Sequence, residues 1–301
     1  YIYSAEELFI TGKLWNGHMD SEAVSTAVDN TLKALQVEKI DMYLNHWPWP
    51  NVHAPGAGGG ERNPHAVPYI HEQFLQTWHE IVKQKKAGKL INIGTSNHTE
   101  MTMRLLLRDV SEEDKPTVNQ MEMHPLFQQT KLRQYFESED IVCNGYMAVG
   151  SPHRPKRDTF REHRSDLEDE TIRQIADELE VSAAVVCLNW AVQRENKNGG
   201  FVVMSTKSTR SRENLQAATQ DLLSLEQMRR ISGDGTEENP GIDVNNRLIW
   251  GQVFLWPEAK GDWRVLWDDS QVFETEHDYA RFKASWNEHQ SVREQTVVEV
   301  N

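Results

Sequence analysis

The sequence predicts an α/β fold in which parallel strands and helices alternate, as in a (β/α) barrel. Six short apolar runs recur along the 301 residues, and helix-like segments separate them. Alternation at this spacing indicates right-handed βαβ crossovers and a parallel sheet. A doubly wound sheet is the alternative architecture, but the sequence lacks the GxGxxG turn that would follow its first strand.

Each predicted strand ends in a polar or aromatic residue suited to chemistry. The C-terminal ends of the strands of a parallel barrel meet at one mouth, where the active sites of such barrels lie. The runs therefore predict one pocket, although a closed barrel needs two more strands. The runs cover residues 8–14, 40–47, 90–96, 117–123, 141–149 and 201–206, and their ends carry Lys13, His46, Ser96, Asn97, Gln120, Tyr146 and Ser205.

Helical periodicity fills the segments between the strands. Asp20 or Ser21 is positioned to cap the first helix, whose stripe containing Ala23 and Ala27 is expected to face the core. The Gly- and Pro-rich residues 51–68 predict a loop. The predicted helices cover residues 21–35, 69–86, 99–108, 130–137, 168–179, 183–193 and 209–215.

The formal net charge of −14 limits the classes of partner that the chain is expected to bind. It disfavours nucleic acid and anionic membranes, because phosphate recognition needs a basic face. No stretch approaches the ~20 apolar residues of a membrane span, so we expect a cytoplasmic or organelle-matrix protein without nucleic-acid or membrane partners. Cys143 and Cys187 lie in apolar runs and are expected to be reduced, buried thiols. No His and carboxylate grouping has metal-ligand spacing.

The amino-acid composition changes near residue 237, beyond which the sequence is rich in tryptophan, aspartate and glutamate. We expect residues 1–236 to form a partial barrel and residues 237–301 to form an extension packed on or over it. A lid over the pocket and a contact with a partner are the alternatives for this extension. Its tryptophans are Trp250, Trp256, Trp263, Trp267 and Trp286.

Lys13 and His46 each have a structural and a chemical interpretation. A lysine after a strand is usually a solvated cap, but at a barrel mouth a partly desolvated ammonium lowers the pKa of a neighbouring acid. A histidine beside an apolar strand is usually a hydrogen-bonded core residue. The neighbouring Trp15, Trp47 and Trp49 favour the chemical interpretation, since an apolar pocket with a few polar groups is typical of a small-molecule site.

The remaining strand ends carry groups that suit a flat, amide-bearing and phosphorylated ligand. Ser96, Asn97 and Gln120 are either strand-end caps or partners of a ligand carboxamide. Tyr146 either packs in the core or stacks on a heterocycle. Residues 205–214 combine hydroxyls and arginines at a strand end that leads into a helix, which is typical of a phosphate site.

With these motifs the chain resembles the aldo-keto reductases. The resemblance implies a (β/α)8 TIM barrel that binds NADPH or NADH and reduces an aldehyde or ketone, its small carbonyl substrate, to an alcohol by hydride transfer. The matching segments are short but together highly specific, and they occur in the family's order. They are residues 6–15 (EELFITGKLW), 40–48 (IDMYLNHWP), 94–97 (GTSN), 119–125 (NQMEMHP), 145–151 (GYMAVGS) and 205–214.

The resemblance also implies a role for each matched residue. Lys13 would lower the pKa of a catalytic tyrosine and His46 would orient the substrate carbonyl, while Trp15 and Trp47 would line the substrate pocket. The residues that would bind the cofactor are Ser96, Asn97 and Gln120 at the carboxamide, Tyr146 at the nicotinamide ring, and Ser205, Arg210, Glu213 and Asn214 at the adenosine end, with Arg210 near the 2′-phosphate.

Two departures from the family pattern matter. The family's catalytic Tyr and Asp precede the lysine by more than the twelve residues that precede Lys13 here. The chain then corresponds to strands three to eight, and we expect a natural chain longer by roughly sixty to seventy residues, about two strand–helix units. If the mature chain begins at Tyr1, the alternative is a non-catalytic subunit with a binding, sensing or structural role, completed by a protein partner. Met204 replaces a frequent family lysine, which weakens a strict preference for NADPH.

Overall fold

The computed structural model describes residues 5–51, 63, 66–150, 165–194, 199–201, 208–220, 222–248, 255–260 and 262–286. The chain divides into two compact units, residues 1–117 with 250–301 and residues 118–249. The strands are β1 (Thr11–Leu14), β2 (Ile40–Asn45), β3 (Tyr69–Ile70), β4 (Leu90–Ser96), β5 (Val118–Glu122), β6 (Val142–Tyr146), β7 (Gly199–Phe201) and β8 (Val272–Phe273). The α-helices are α1 (Ser21–Leu35), α2 (His71–Lys86), α3 (Glu100–Asp109), α4 (Thr130–Ser138), α5 (Glu170–Leu179), α6 (Ala183–Gln193), α7 (Ser208–Thr219) and α8 (Leu225–Ser232).

The first unit is built on three parallel strands in the order β1, β2, β4. Thr11 lies opposite Met42 in the first pair, and Ile40 lies opposite Leu90 in the second. Most residues of β2 and β4 are buried, as expected of parallel strands whose faces are covered. The carboxyl ends of all three strands therefore point the same way, which brings the polar residues that follow them to one edge.

The helix α1 has the predicted bounds, and the carboxylate of Asp20 caps it by accepting a hydrogen bond from a first-turn backbone N–H. The predicted buried stripe is wrong by one residue. Val24 and Val28 are fully buried, whereas Ala23 and Ala27 are only partly buried. Burying a valine removes more apolar area from water than burying an alanine, so the helix turns its valine pair towards the core.

Residues near the C-terminus add a second, two-stranded sheet to the first unit. β8 pairs in parallel with β3, with Tyr69 opposite Val272 and Ile70 opposite Phe273. The indole of Trp256 is fully buried and donates a hydrogen bond to the Gln271 side chain at 2.6 Å. The described residues of this segment thus pack as part of the first unit.

The second unit repeats the parallel arrangement with β5, β6 and β7. Val118 lies opposite Val142, and Cys143 lies opposite Gly199. The helices α5 and α6 enclose a hydrophobic core whose largest member is the fully buried Trp190. Cys143 and Cys187 are both buried and neither forms a disulfide, as predicted.

The prediction of alternating helices and parallel strands is confirmed. β4 has the predicted bounds, but β1 begins three residues late. Leu8 and Phe9 are 49% and 70% exposed, and the backbone N–H of Ile10 donates to the Asp41 carboxylate at 2.9 Å. The last predicted strand extends over residues 202–206, which lie outside the described ranges. Within the described ranges, no helix combines the length and apolar composition that crossing a bilayer requires.

Candidate functional site

Lys13 and His46 lie at the ends of neighbouring strands in the first unit. Lys13 is in β1 opposite Leu44, and the backbone N–H of His46 donates a hydrogen bond to the carbonyl of Leu14 at 3.1 Å, just beyond β2. Burial lowers the pKa of Lys13. Burial, followed by the positive charge of Lys13, lowers the pKa of His46 to about 4. The two side chains are therefore partly desolvated groups in electrostatic contact.

His46 belongs to an aromatic cluster. Its imidazole packs edge-on against Trp15, with ring centroids 5.4 Å apart, and stacks on Trp47 at 5.8 Å. Trp47 contacts Trp49 at 5.9 Å, and both indoles are buried. Trp267, from the C-terminal segment, packs edge-on against Trp47 and Trp49 at 6.2 and 5.2 Å. We call these five residues the aromatic cluster; no sequence pattern indicated that Trp267 belongs to it.

Ser96 and Asn97 lie next to His46, at the carboxyl end of the strand β4. Both are buried at the end of β4. The side-chain N–H groups of Asn97 donate to the backbone carbonyl of His46 at 2.9 Å and to the Ser96 hydroxyl at 3.1 Å. Asn97 has a φ of 62°, in the left-handed region that asparagine tolerates better than most residues. Asn97 thus fixes the backbone that carries His46.

Gln120 and Tyr146 lie in the second unit. Gln120 is buried in β5 opposite Asn144, and Tyr146 ends β6 opposite Glu122. Burial, followed by the carboxylate of Glu122, raises the pKa of Tyr146 well above its ordinary value. The phenol of Tyr146 is therefore neutral at physiological pH.

A buried ionic network beside Tyr146 has no counterpart in the sequence predictions. The imidazole of His124 is hydrogen-bonded through Nε2 to Glu122 at 3.2 Å and through Nδ1 to Asp166 at 2.9 Å. Burial alone would lower the pKa of His124, but the two carboxylates outweigh it and raise the pKa to about 9. Glu122 also accepts a hydrogen bond from the backbone N–H of Leu248 at 2.6 Å. The network links three chain segments. Two of its members, Glu122 and His124, belong to the NQMEMHP motif, which was the only sequence signal for it.

The predicted adenosine-end residues lie on α7 in the second unit, except Ser205, which is outside the described ranges together with Met204. Arg210 is exposed in the first turn of α7, where a helix N-terminus and a guanidinium favour an anion. Glu213 accepts a hydrogen bond from the Ser182 hydroxyl at 2.6 Å, and Asn214 is partly exposed nearby on the helix. Among the described residues, no group of three His, Cys, Asp or Glu side chains is arranged to hold a metal ion.

Comparison with known proteins gives a consistent result. A sequence profile described as "Aldo/keto reductase family" matches residues 3–233. An aldo/keto reductase of Synechocystis sp. is 31% identical over 268 residues, which are 89% of this chain and 77% of that protein. The NAD(P)H-dependent D-xylose reductase I,II of Candida tropicalis is 36% identical over 228 residues, or 72% of this chain and 68% of the relative. Aldo-keto reductase family 1 member C2 of Homo sapiens is 32% identical over 254 residues, which are 84% of this chain and 74% of that protein.

Proposed function

This chain belongs to the aldo-keto reductase family, and we propose that it is an NADPH-dependent enzyme that reduces an aldehyde or ketone to an alcohol by hydride transfer. The observation that carries this proposal is the pairing of Lys13 with His46 at neighbouring strand ends, where burial lowers the pKa of both groups beside a wall of tryptophans. A largely apolar pocket with a few polar groups suits a small carbonyl compound.

His46 is the residue proposed to orient the substrate. Its pKa of about 4 keeps the imidazole neutral near pH 7, so a ring N–H can donate a hydrogen bond to a carbonyl oxygen without a full charge entering the pocket. The Asn97 side chain holds the His46 carbonyl at 2.9 Å, which limits movement of that backbone. A fixed donor aimed at the oxygen where charge develops stabilises the transition state more than the substrate.

Lys13 is proposed to act on the proton donor. A nearby positive charge favours the ionised form of a phenol and so lowers its pKa towards neutrality, where a tyrosine becomes an effective general acid. The residues matched to the family motifs do not include this tyrosine, so the proposal assigns Lys13 its role towards the donor and leaves the donor itself unassigned.

The residues proposed to hold NADPH offer groups that fit its chemistry. When bound, the cofactor supplies the hydride. Ser96 and Asn97 place a hydroxyl and a carboxamide side by side for the nicotinamide amide, and the neutral ring of Tyr146 suits stacking on a flat heterocycle. Arg210 supplies a cation for the 2′-phosphate. The proposed set is completed by Gln120, Ser205, Glu213 and Asn214, with NADH as a weaker alternative cofactor.

The aromatic cluster favours a neutral substrate. Trp47 and Trp49 are buried and offer apolar ring surface, and the neighbouring His46 is neutral near pH 7. The net charge of −14 disfavours the approach of anions. The relative from Candida tropicalis is named for D-xylose, so sugars belong beside simple aromatic and aliphatic aldehydes in a substrate panel.

The proposal is tested by two measurements on the natural full-length protein. Quenching of tryptophan fluorescence by NADPH reports cofactor binding, and loss of NADPH absorbance with an aldehyde panel reports turnover. We expect both, with turnover abolished in His46→Leu while NADPH still quenches. Binding without turnover in the wild type would instead support a non-catalytic subunit. If NADPH neither binds nor is consumed, a structural role in an assembly is the remaining alternative.

A further inference from the structure

The C-terminal segment places one tryptophan directly on the aromatic cluster. The ring of Trp267 meets Trp49 almost perpendicularly, at 87° and 5.2 Å, and Trp47 at 64° and 6.2 Å. Trp47 in turn stacks on His46. Trp267 is therefore one ring removed from the imidazole proposed to orient the carbonyl, and it enlarges the apolar surface on that side.

A hydrogen bond two residues further on fixes this tryptophan. The hydroxyl of Thr99 donates to the carboxylate of Asp269 at 2.5 Å, across 170 positions of sequence. Asp269 has a φ of 58°, so the chain turns in the left-handed region there. We call this contact the Thr99–Asp269 latch. It links the segment that carries Trp267 to the first turn of α3.

The latch is anchored on the stretch that also holds His46. Thr99 caps α3, and its hydroxyl accepts a hydrogen bond from the backbone N–H of Thr102 at 3.3 Å. Two positions earlier, Asn97 donates to the His46 carbonyl. Residues 96–99 therefore position both His46 and, through Asp269, the outer tryptophan of the aromatic cluster.

Contacts beyond the latch hold the rest of the segment independently. β8 pairs with β3, Arg108 forms an ion pair with Glu274 at 3.0 Å, and Gln73 donates to Glu276 at 2.7 Å. Loss of the latch should consequently loosen the chain around Trp267 without detaching residues 272–276. The latch has a local effect that a measurement can separate from unfolding.

We propose that Asp269 is a positioning residue for substrate selection: through Thr99 it holds Trp267 as a wall of the carbonyl-binding pocket, which favours uncharged substrates with a flat apolar body. This inference rests on the proposed function. Trp267 supplies the contact, because an indole offers a large rigid apolar surface at a small cost in side-chain entropy. Asp269 acts only by holding that surface in place.

The test compares a two-ring aromatic aldehyde with a short aliphatic aldehyde in Asp269→Ala. We expect KM for the aromatic aldehyde to rise about tenfold, kcat for both to stay within about twofold, and KM for the aliphatic aldehyde to be nearly unchanged. Asp268→Ala is the matched control, because this neighbouring exposed carboxylate contacts only the local backbone in the hydrogen bonds described. Asp269→Asn keeps an acceptor for Thr99 and should restore most of the selectivity.

A double-mutant cycle separates positioning from general destabilisation. Trp267→Ala should raise the same KM, and Asp269→Ala should add less than about twofold in that background. Independent effects of the two substitutions, or an unchanged KM in Asp269→Ala, would overturn the proposal. If Asp269→Ala does not fold, Thr99→Ala breaks the same hydrogen bond and Thr99→Ser is its control.

Hydrogen exchange without cofactor gives a readout that does not depend on catalysis. In Asp269→Ala the amides of residues 267–271 should exchange faster, while those of β3 and β8 keep their protection; uniform exchange changes would contradict a local latch. If the wild type shows no turnover, the proposed reaction fails. The selectivity is then measured from dissociation constants of the two aldehydes by tryptophan quenching, and equal ratios in wild type and Asp269→Ala would refute the latch.

Discussion

Lys13 lies in β1 and His46 follows the neighbouring parallel strand β2, and the charge of the lysine acts on the ionisation of the imidazole. Burial is the larger cause of the low pKa of His46, and the Lys13 ammonium adds to it, bringing the value to about 4. Burial also lowers the pKa of Lys13 itself. The lysine thus makes the imidazole harder to protonate, whereas the pKa of the lysine is lowered by burial, because an imidazole with a pKa of about 4 is neutral when the lysine titrates.

Lys13→Met should raise the pKa of His46. Removal of the neighbouring charge leaves burial as the remaining cause, so the value should rise but stay below the ordinary 6.5. Titration of the histidine resonances by NMR measures this pKa. The same substitution should lower kcat by about 10²- to 10⁴-fold, because the tuned proton donor loses its cation. Lys39→Met, on the same unit, is a control that should change neither quantity.

Asn97 should be hard to replace for two separable reasons. Asn97→Gly loses the hydrogen bond to His46 but meets the left-handed φ of 62° without strain. Asn97→Ala loses the same bond and adds roughly 1–2 kcal/mol of backbone strain. We therefore expect the free energy of unfolding to fall further in the alanine variant, as measured in urea. Equal losses in the two variants would show that the backbone conformation contributes nothing.

The buried His124 should make the protein less stable at high pH. Its folded pKa of about 9 lies above the ordinary 6.5, so the stabilisation is fully present below pH 6.5 and is lost as the pH rises through 9. The expected slope is on the order of 1 kcal/mol per pH unit within that window. Urea unfolding of wild type and His124→Gln measures it, and the variant should lack the slope.

His98 provides a control with the opposite sign. Burial, followed by the charge of His71, lowers its pKa to about 3. Between pH 6.5 and 3 the His98 imidazole is protonated in the unfolded chain but neutral in the folded protein, so the free energy of unfolding falls on acidification. His98→Gln should weaken the acid-side loss while leaving the alkaline side unchanged. A variant that altered both sides equally would contradict the assignment of either histidine.

Arg210→Ala should reduce the preference for NADPH over NADH. A charge-assisted contact with the 2′-phosphate contributes roughly 1.5–3 kcal/mol, so the ratio of the two dissociation constants should fall by about 10- to 100-fold. Fluorescence titration with both cofactors measures that ratio. Arg212→Ala changes an exposed arginine on the same helix and should leave it unaltered. An unchanged ratio in Arg210→Ala would remove Arg210 from the cofactor site.

The sequence by itself determined the features that local physics controls. The apolar runs and helical periodicity located β4, α1 and α6 at their observed bounds, because strand and helix periods are visible within a few residues. Apolar surroundings were enough to predict burial of Cys143 and Cys187. The motif order was enough to identify the family, since short motifs in a fixed order are specific even when each is weak.

Only the tertiary structure decided which distant residues meet. Three hydrogen bonds join residues that are far apart in the sequence. They are Asn97 to the His46 carbonyl across 51 positions, His124 to Asp166 across 42, and Thr99 to Asp269 across 170. No local pattern encodes such pairs, because they form only after strands and helices have packed. The ionisation of His46 and His124 follows the same rule: burial and partner charges set pKa values of about 4 and 9 on two side chains that are chemically identical in the sequence.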